Sequence, residues 1–85
     1  MSTGTEDSTI GRISDDRAKW RVVVQAWPDA PGYRGRLVFE PDGVAAPLGA
    51  REGPPALHGR TREDVVQQAY ELPEQRLRAM LHSLG

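Results

Sequence analysis

The chain has 85 residues, with 11 Lys or Arg against 12 Asp or Glu and no Cys. This length supports one domain at most, and the absence of Cys excludes disulfides and thiolate metal sites as sources of stability. The near-neutral charge argues against a nucleic-acid-binding protein, which usually has a basic excess. Every cation except Lys19 is Arg, a usage typical of a GC-rich bacterial genome.

The first nineteen residues are rich in Ser, Thr, Gly, Asp and Glu, and their only large apolar side chains are Ile10 and Ile13. Such a stretch buries too little surface to offset its backbone entropy, so residues 1–19 are predicted to be a disordered tail. They lack the basic start and apolar run of a signal peptide. No later stretch approaches the roughly 18 apolar residues of a membrane span. We therefore expect a cytoplasmic chain without a membrane partner.

Residues 20–27 and 33–40 are dense in β-branched and aromatic side chains and predict two strands. Residues 28–32, Pro-Asp-Ala-Pro-Gly, have strong turn chemistry, so an antiparallel hairpin is expected. Alternation divides the hairpin into two faces. The more apolar face should point inward; it carries Trp20, Val22, Val24 and Ala26 from the first strand and Tyr33, Gly35, Leu37 and Phe39 from the second.

The following segment, residues 44–59, is rich in Pro, which argues against a central strand. Leu48 and Leu57 are both able to reach a core. A short third strand is expected around residues 56–58.

Two helices are predicted after that segment. Thr61 is placed to cap the first helix by accepting a hydrogen bond from the backbone of Asp64, whose side chain reaches back in a capping box. Helical spacing predicts that this helix buries Val65, Val66, Ala69, Tyr70 and Leu72. Pro73 suits the first turn of a second helix, whose apolar stripe is Leu77, Met80, Leu81 and Leu84.

The predicted fold is α+β: one domain over residues 20–85, with a two- to three-stranded antiparallel sheet, hairpin first, packed against one or two C-terminal helices. A core this small contributes only about 3–5 kcal/mol, so a homodimer or a partner protein is a common remedy. The stripe of the second helix is a candidate surface for such pairing if the sheet lacks room for two helices.

No catalytic arrangement stands out. His58 and His82 lie in different elements without carboxylates at metal-ligand spacing, and no glycine-rich phosphate loop is present. Neither a metal nor another cofactor is expected, and the chain is predicted not to be an enzyme. His58 has two interpretations: a general base or RNA contact before the helix, or a turn residue that ends a short strand.

The outer face of the hairpin, opposite the predicted core, is the main candidate for binding. Arg21, Trp27, Arg34, Arg36 and Val38 lie on it. Arg and Trp are favoured in protein interfaces, and Trp beside Arg could also stack nucleobases. A protein partner or a second copy is the favoured interpretation, and nucleic acid is the alternative. The face could equally be solvated, or covered by the second helix.

The order of hairpin, short strand and Gly59-x-Thr61-x-Glu63-Asp64 opening a helix resembles the small β-β-β-α domain of HicB-type antitoxins, over about residues 20–70. The resemblance implies a degenerate RNase-H-like sheet that binds a small toxin ribonuclease, often with a separate DNA-binding segment. The Pro-Asp-Leu-Pro-Gly signature of that family is missing, and residues 53–57 read Gly-Pro-Pro-Ala-Leu instead. No helix-turn-helix surrounds the helix after Pro73. We expect a non-catalytic interaction module that is a homodimer or a regulatory partner.

Overall fold

The computed structural model describes residues 6–42 and 49–84, which form a five-stranded antiparallel sheet and two helices. The predicted α+β class is confirmed, with a larger sheet than expected. The strands are β1 (Glu6–Ser14), β2 (Lys19–Asp29), β3 (Gly32–Pro41), β4 (Arg51–Glu52) and β5 (Leu57–Gly59). The helices are α1 (Arg62–Tyr70) and α2 (Glu74–Leu84).

The hairpin of β2 and β3 forms the centre of the sheet. Its register runs from Trp20 opposite Pro41 to Asp29 opposite Gly32, so only Ala30 and Pro31 remain as the turn. The strands therefore extend further into the Pro-Asp-Ala-Pro-Gly segment than the turn chemistry indicated. The predicted inward face of the first strand is confirmed, since its four side chains are at most 1% exposed: Trp20, Val22, Val24 and Ala26.

The prediction of a disordered tail is wrong for residues 6–14, which form β1 and pair with β2. Residues 1–5 lie outside the described chain. Backbone pairing with β2 places β1 in the sheet although few of its side chains are apolar. Ile13 enters the core and Ile10 packs against it. β1 is thus part of the folded domain.

The two short strands share the far edge of β3. β4 pairs with β3 at Val38 and Phe39, and β5 pairs with it at Tyr33, Arg34 and Gly35. The third strand predicted near residues 56–58 corresponds to β5. β4 was not predicted because two residues show no periodicity. The expectation for Leu48 lies outside the described residues.

Both helices pack on the inner face of the sheet. α1 begins with the predicted capping box, in which the Thr61 hydroxyl accepts a hydrogen bond from the Asp64 amide at 3.2 Å and the Asp64 carboxylate accepts from the Thr61 amide at 3.3 Å. The core is a single cluster around Trp20 and Phe39. Neither described helix has the length and apolar character needed to cross a membrane.

One residue of α1 departs from its predicted position. Tyr70, expected in the buried stripe, is 57% exposed. The buried side of α1 is narrow and consists of Val65 and Ala69, one turn apart. Tyr70 follows Ala69 directly, so it is rotated by about 100° around the helix, away from the sheet.

Candidate interaction face

The outer face of the sheet is the side opposite α1 and α2. No helix or strand of the described residues packs over it, so the alternative in which the second helix covers this face is wrong. By register and alternation it carries side chains of all five strands. They include Asp7, Thr9, Arg12, Arg21, Val23, Gln25, Trp27, Arg34, Arg36, Val38, Glu40, Glu52 and His58.

Two valines occupy the middle of the outer face. Val23 of β2 lies directly opposite Val38 of β3, with Thr9 and Glu52 as their neighbours on the flanking strands. Both valines are 4% exposed, yet neither belongs to the core cluster on the other side of the sheet. The outer face therefore has a small apolar centre of its own. Long charged side chains surround it, and their aliphatic stems are suited to shielding such a centre.

An ion pair borders the valines toward the Trp20 end of the hairpin. Arg21 and Glu40 are cross-strand partners, and the Arg21 Nε donates to Glu40 Oε1 at 3.0 Å. The hydrogen bond and the charge of Glu40 together raise the pKa of Arg21 above its usual value. This end of the face thus carries both signs of charge.

A denser network borders the valines on the other side. The Arg36 Nε donates to Gln25 Oε1 at 2.9 Å, and its guanidinium lies 3.6 Å from Glu52. The same guanidinium is positioned over the indole of Trp27, 5.7 Å from the ring centroid. A cation over an aromatic face is attracted by the ring quadrupole. Arg36 thus connects three neighbours that come from β2 and β4.

Arg34 completes the set of predicted surface residues. Its Nε donates to Asp29 at 2.8 Å, at the hairpin turn. Cross-strand pairing places Arg34 opposite Trp27, so the structure brings Trp27, Arg34 and Arg36 together. Arg21 belongs to the same face but lies six residues, or about 20 Å, along β2 from Trp27. The predicted surface therefore has two ends joined by the valine centre.

The apolar stripe of α2 lies in the domain core and not on the outer face. Leu77 and Leu81 are buried in the core, and Met80 and Leu84 pack against it. The sheet has room for both helices because β1 widens it beyond the hairpin. These four side chains are used inside the domain.

His58 is exposed on β5, opposite Arg34. It lines an open hollow of about 610 Å³ at the hairpin tip, together with Tyr33 and Arg60. Its backbone carbonyl accepts a hydrogen bond from Gln68 of α1, which ties β5 to the helix. His58 is the middle residue of β5 and not the turn residue at a strand end that one interpretation expected. No group of three or more His, Asp or Glu capable of holding a metal occurs in residues 6–42 and 49–84.

Asp15 is a key side chain that the sequence interpretation missed. It accepts hydrogen bonds from the backbone amides of Arg17 and Ala18, from the Arg17 guanidinium, and from the indole nitrogen of Trp20 at 3.0 Å. Desolvation alone would raise the pKa of Asp15, but these donors outweigh it and hold the pKa well below its usual range. The signal was present, because Asp often binds backbone amides two and three residues on in a turn.

Comparison of the chain with protein-family models, with curated protein sequences and with solved structures finds no match.

Proposed function

We propose that the chain is a non-catalytic interaction module that binds a partner protein through the outer face of its sheet. One observation carries the proposal: helices cover one side of the sheet, while the other side has the Val23–Val38 centre and no described element over it. An antiparallel sheet is stable with one face in water, and no helix or strand of the described residues occupies this side. Trp27 and Arg36 at its border belong to the residue types that dominate protein interfaces.

The charge arrangement favours a protein over nucleic acid as the partner. Arg21 and Arg34 are paired with Glu40 and Asp29, and Arg36 lies beside Glu52. A phosphate backbone would have to compete with those carboxylates for each guanidinium. A protein surface with both signs of charge is able to match the mixed border without separating the pairs.

The proposed role is regulatory and cytoplasmic, as expected from the sequence. A small toxin ribonuclease, which the resemblance to HicB-type antitoxins implies, is the most specific partner in this proposal. Co-expression with a ribonuclease partner recovered from the source cell would test that version. Relief of growth arrest by the wild-type chain is expected, and continued arrest would reject the antitoxin-like role while leaving other protein partners in place.

The outer face itself is tested by co-purification of a tagged chain from its native cell, with nuclease treatment. The wild-type chain is expected to retain a stoichiometric protein. The Trp27→Ala, Arg36→Ala double variant should lose it while keeping its circular dichroism spectrum. Arg76→Ala, at an exposed position of α2, is the matched control and should retain the partner. Equal capture by the double variant would reject the outer face, and loss on nuclease treatment would favour nucleic acid.

A further inference from the structure

β1 is the outermost strand of the sheet and is paired on one side only among the described residues. Its inner neighbour is β2, and the strand order places β1 at the end of the sheet. An edge of this length presents a row of backbone N–H and C=O groups to solvent, which another strand is able to pair with. The opposite edge of β3 is filled by β4 and β5. Among the described strands, β1 is therefore the long strand whose outer edge is unpaired.

The side chains of β1 restrict how it could pair with a copy of itself. Ile10 has no partner on β2, because the register shifts between Thr9 and Gly11. This bulge puts Asp7 and Arg12 on the same outer face although five positions separate them. In an antiparallel pairing about a two-fold axis between Thr9 and Ile10, Asp7 of each copy would lie opposite Arg12 of the other. Two cross-strand ion pairs would result, and opposite charges in such positions stabilise a sheet.

Both side chains are accessible for that contact. Asp7 is exposed, and the Arg12 side chain is 66% exposed. The Arg12 Nε donates at 3.2 Å to Asp42, which follows β3, so this bond draws the Arg12 side chain over the sheet and away from the free edge. A guanidinium has further N–H groups on its two terminal nitrogens, so this bond leaves donors for a second carboxylate.

A hollow lies beside the same edge, on the inner side of the sheet. It has a volume of about 190 Å³, and its lining combines the apolar side chains of Ile10, Ile13, Tyr70 and Leu72 with the charged residues Arg12 and Glu74. Tyr70 is the large hydrophobic side chain that the described residues leave exposed. A two-fold pairing of β1 would bring the hollows of both copies to the same interface. Apolar surface next to an open strand edge is what a protein contact needs to gain stability beyond backbone pairing.

We propose that β1 pairs antiparallel with β1 of a second copy, with Asp7 opposite Arg12, to form one continuous ten-stranded sheet. The two outer faces would then join into a single surface with two valine centres. The proposal is independent of the partner protein proposed above, because it uses the edge of the sheet and not its face. It also supplies the additional stabilisation that a small core without disulfides benefits from.

The test is a charge exchange measured by sedimentation equilibrium of the full chain over a wide range of concentration. The wild-type chain is expected to dimerise. Asp7→Arg gives two like-charge contacts between arginines, and Arg12→Asp gives two between aspartates. Each variant alone should therefore dimerise about 10- to 100-fold more weakly than the wild type. An equimolar mixture of the two should recover dimerisation, because each copy then faces the opposite charge at both positions.

Two controls separate the edge from general effects of charge. Asp16→Arg and Arg76→Asp reverse exposed charges away from the pairing edge and should leave the dimer unchanged. Thermal unfolding of each variant shows that the monomer remains folded. A wild-type chain that stays monomeric at all concentrations would overturn the proposal, and the charges and bulge of β1 would then serve to protect the edge from pairing. A mixture no tighter than its components would also overturn it.

Discussion

Gly35 of β3 lies directly beneath Val65 of α1. A Cβ atom added at Gly35 would lie 2.4 Å from Val65 Cγ1 and 2.8 Å from the carbonyl oxygen of Gln25. Real Cβ atoms do not approach other atoms so closely, so the helix rests on the sheet only because this position has no side chain. The contact fixes the height of α1 above the hairpin, and with it the position of the core.

Gly35→Ala is therefore expected to destabilise the fold by about 1–3 kcal/mol, since overpacking forces either the helix or the neighbouring strand to shift. Chemical denaturation followed by circular dichroism measures the change. Gly11→Ala is the matched control, because nothing lies within 4 Å of a Cβ added there on β1. Equal midpoints for the two variants would contradict the close packing of α1 on the sheet.

The carboxylate of Asp15 makes the stability of the fold sensitive to acid. The pKa of Asp15 is depressed in the folded chain relative to its value of about 3.9 in an unfolded one. Its stabilising contribution is therefore complete above pH about 4 and declines as the pH falls below that value. Trp20 is fully buried, so its indole N–H depends on this acceptor.

Asp15→Asn should lower the free energy of unfolding at pH 7 by about 1–2 kcal/mol, because hydrogen bonds to a charged acceptor become neutral ones. The difference from the wild-type chain should shrink as the pH is lowered from 5 to 2. Urea denaturation at a series of pH values measures it. Asp16→Asn, at the exposed neighbouring aspartate, is the matched control for the loss of one negative charge. A difference that is constant with pH would show that the charge of Asp15 is not the cause.

The third prediction concerns the N-terminal cap of α1. The Thr61 hydroxyl accepts from the first turn of the helix, and Thr61→Ala removes that acceptor. A loss of about 1 kcal/mol in stability is expected. Thr61→Ser keeps the hydroxyl and should lie close to the wild-type value. If both variants unfold at the same denaturant concentration, below that of the wild-type chain, then the γ-methyl group that both lack stabilises this position and the hydrogen bond does not.

The sequence alone predicts those elements whose residue patterns depend on contacts between near neighbours in the chain. The alternation of residues 20–26 predicts the inward face of β2, and the Thr61–Asp64 spacing predicts the start of α1. Both patterns arise from contacts within one element or between adjacent strands. The α+β class follows from them because a sheet with one apolar face must be covered by the helices that come next.

The remaining parts depend on tertiary context. β1 has a composition typical of disorder. It forms a strand because the turn around Asp15 reverses the chain and brings β2 alongside it. β4 is two residues long and exists only through its pairing with β3. On the candidate face, the residue types of Trp27 and Arg36 were visible in the sequence. The ion pair between Arg36 and Glu52 was not visible, because Glu52 comes from a separate strand.

The contact between Arg36 and Trp27 makes the last prediction. With the guanidinium carbon 5.7 Å from the ring centroid, a cation–π interaction at this partly exposed site should contribute about 0.5–1 kcal/mol. A double-mutant cycle of Trp27→Ala and Arg36→Ala isolates that coupling from the hydrogen bond to Gln25 and the ion pair with Glu52. The control cycle pairs Trp27→Ala with Arg21→Ala, at the distant end of the same face. Its two changes should be additive within about 0.5 kcal/mol. Coupling in the control cycle as large as in the first would mean that the whole outer face rearranges when Trp27 is removed, and loss of partner binding by a Trp27 variant could then not be assigned to the indole itself.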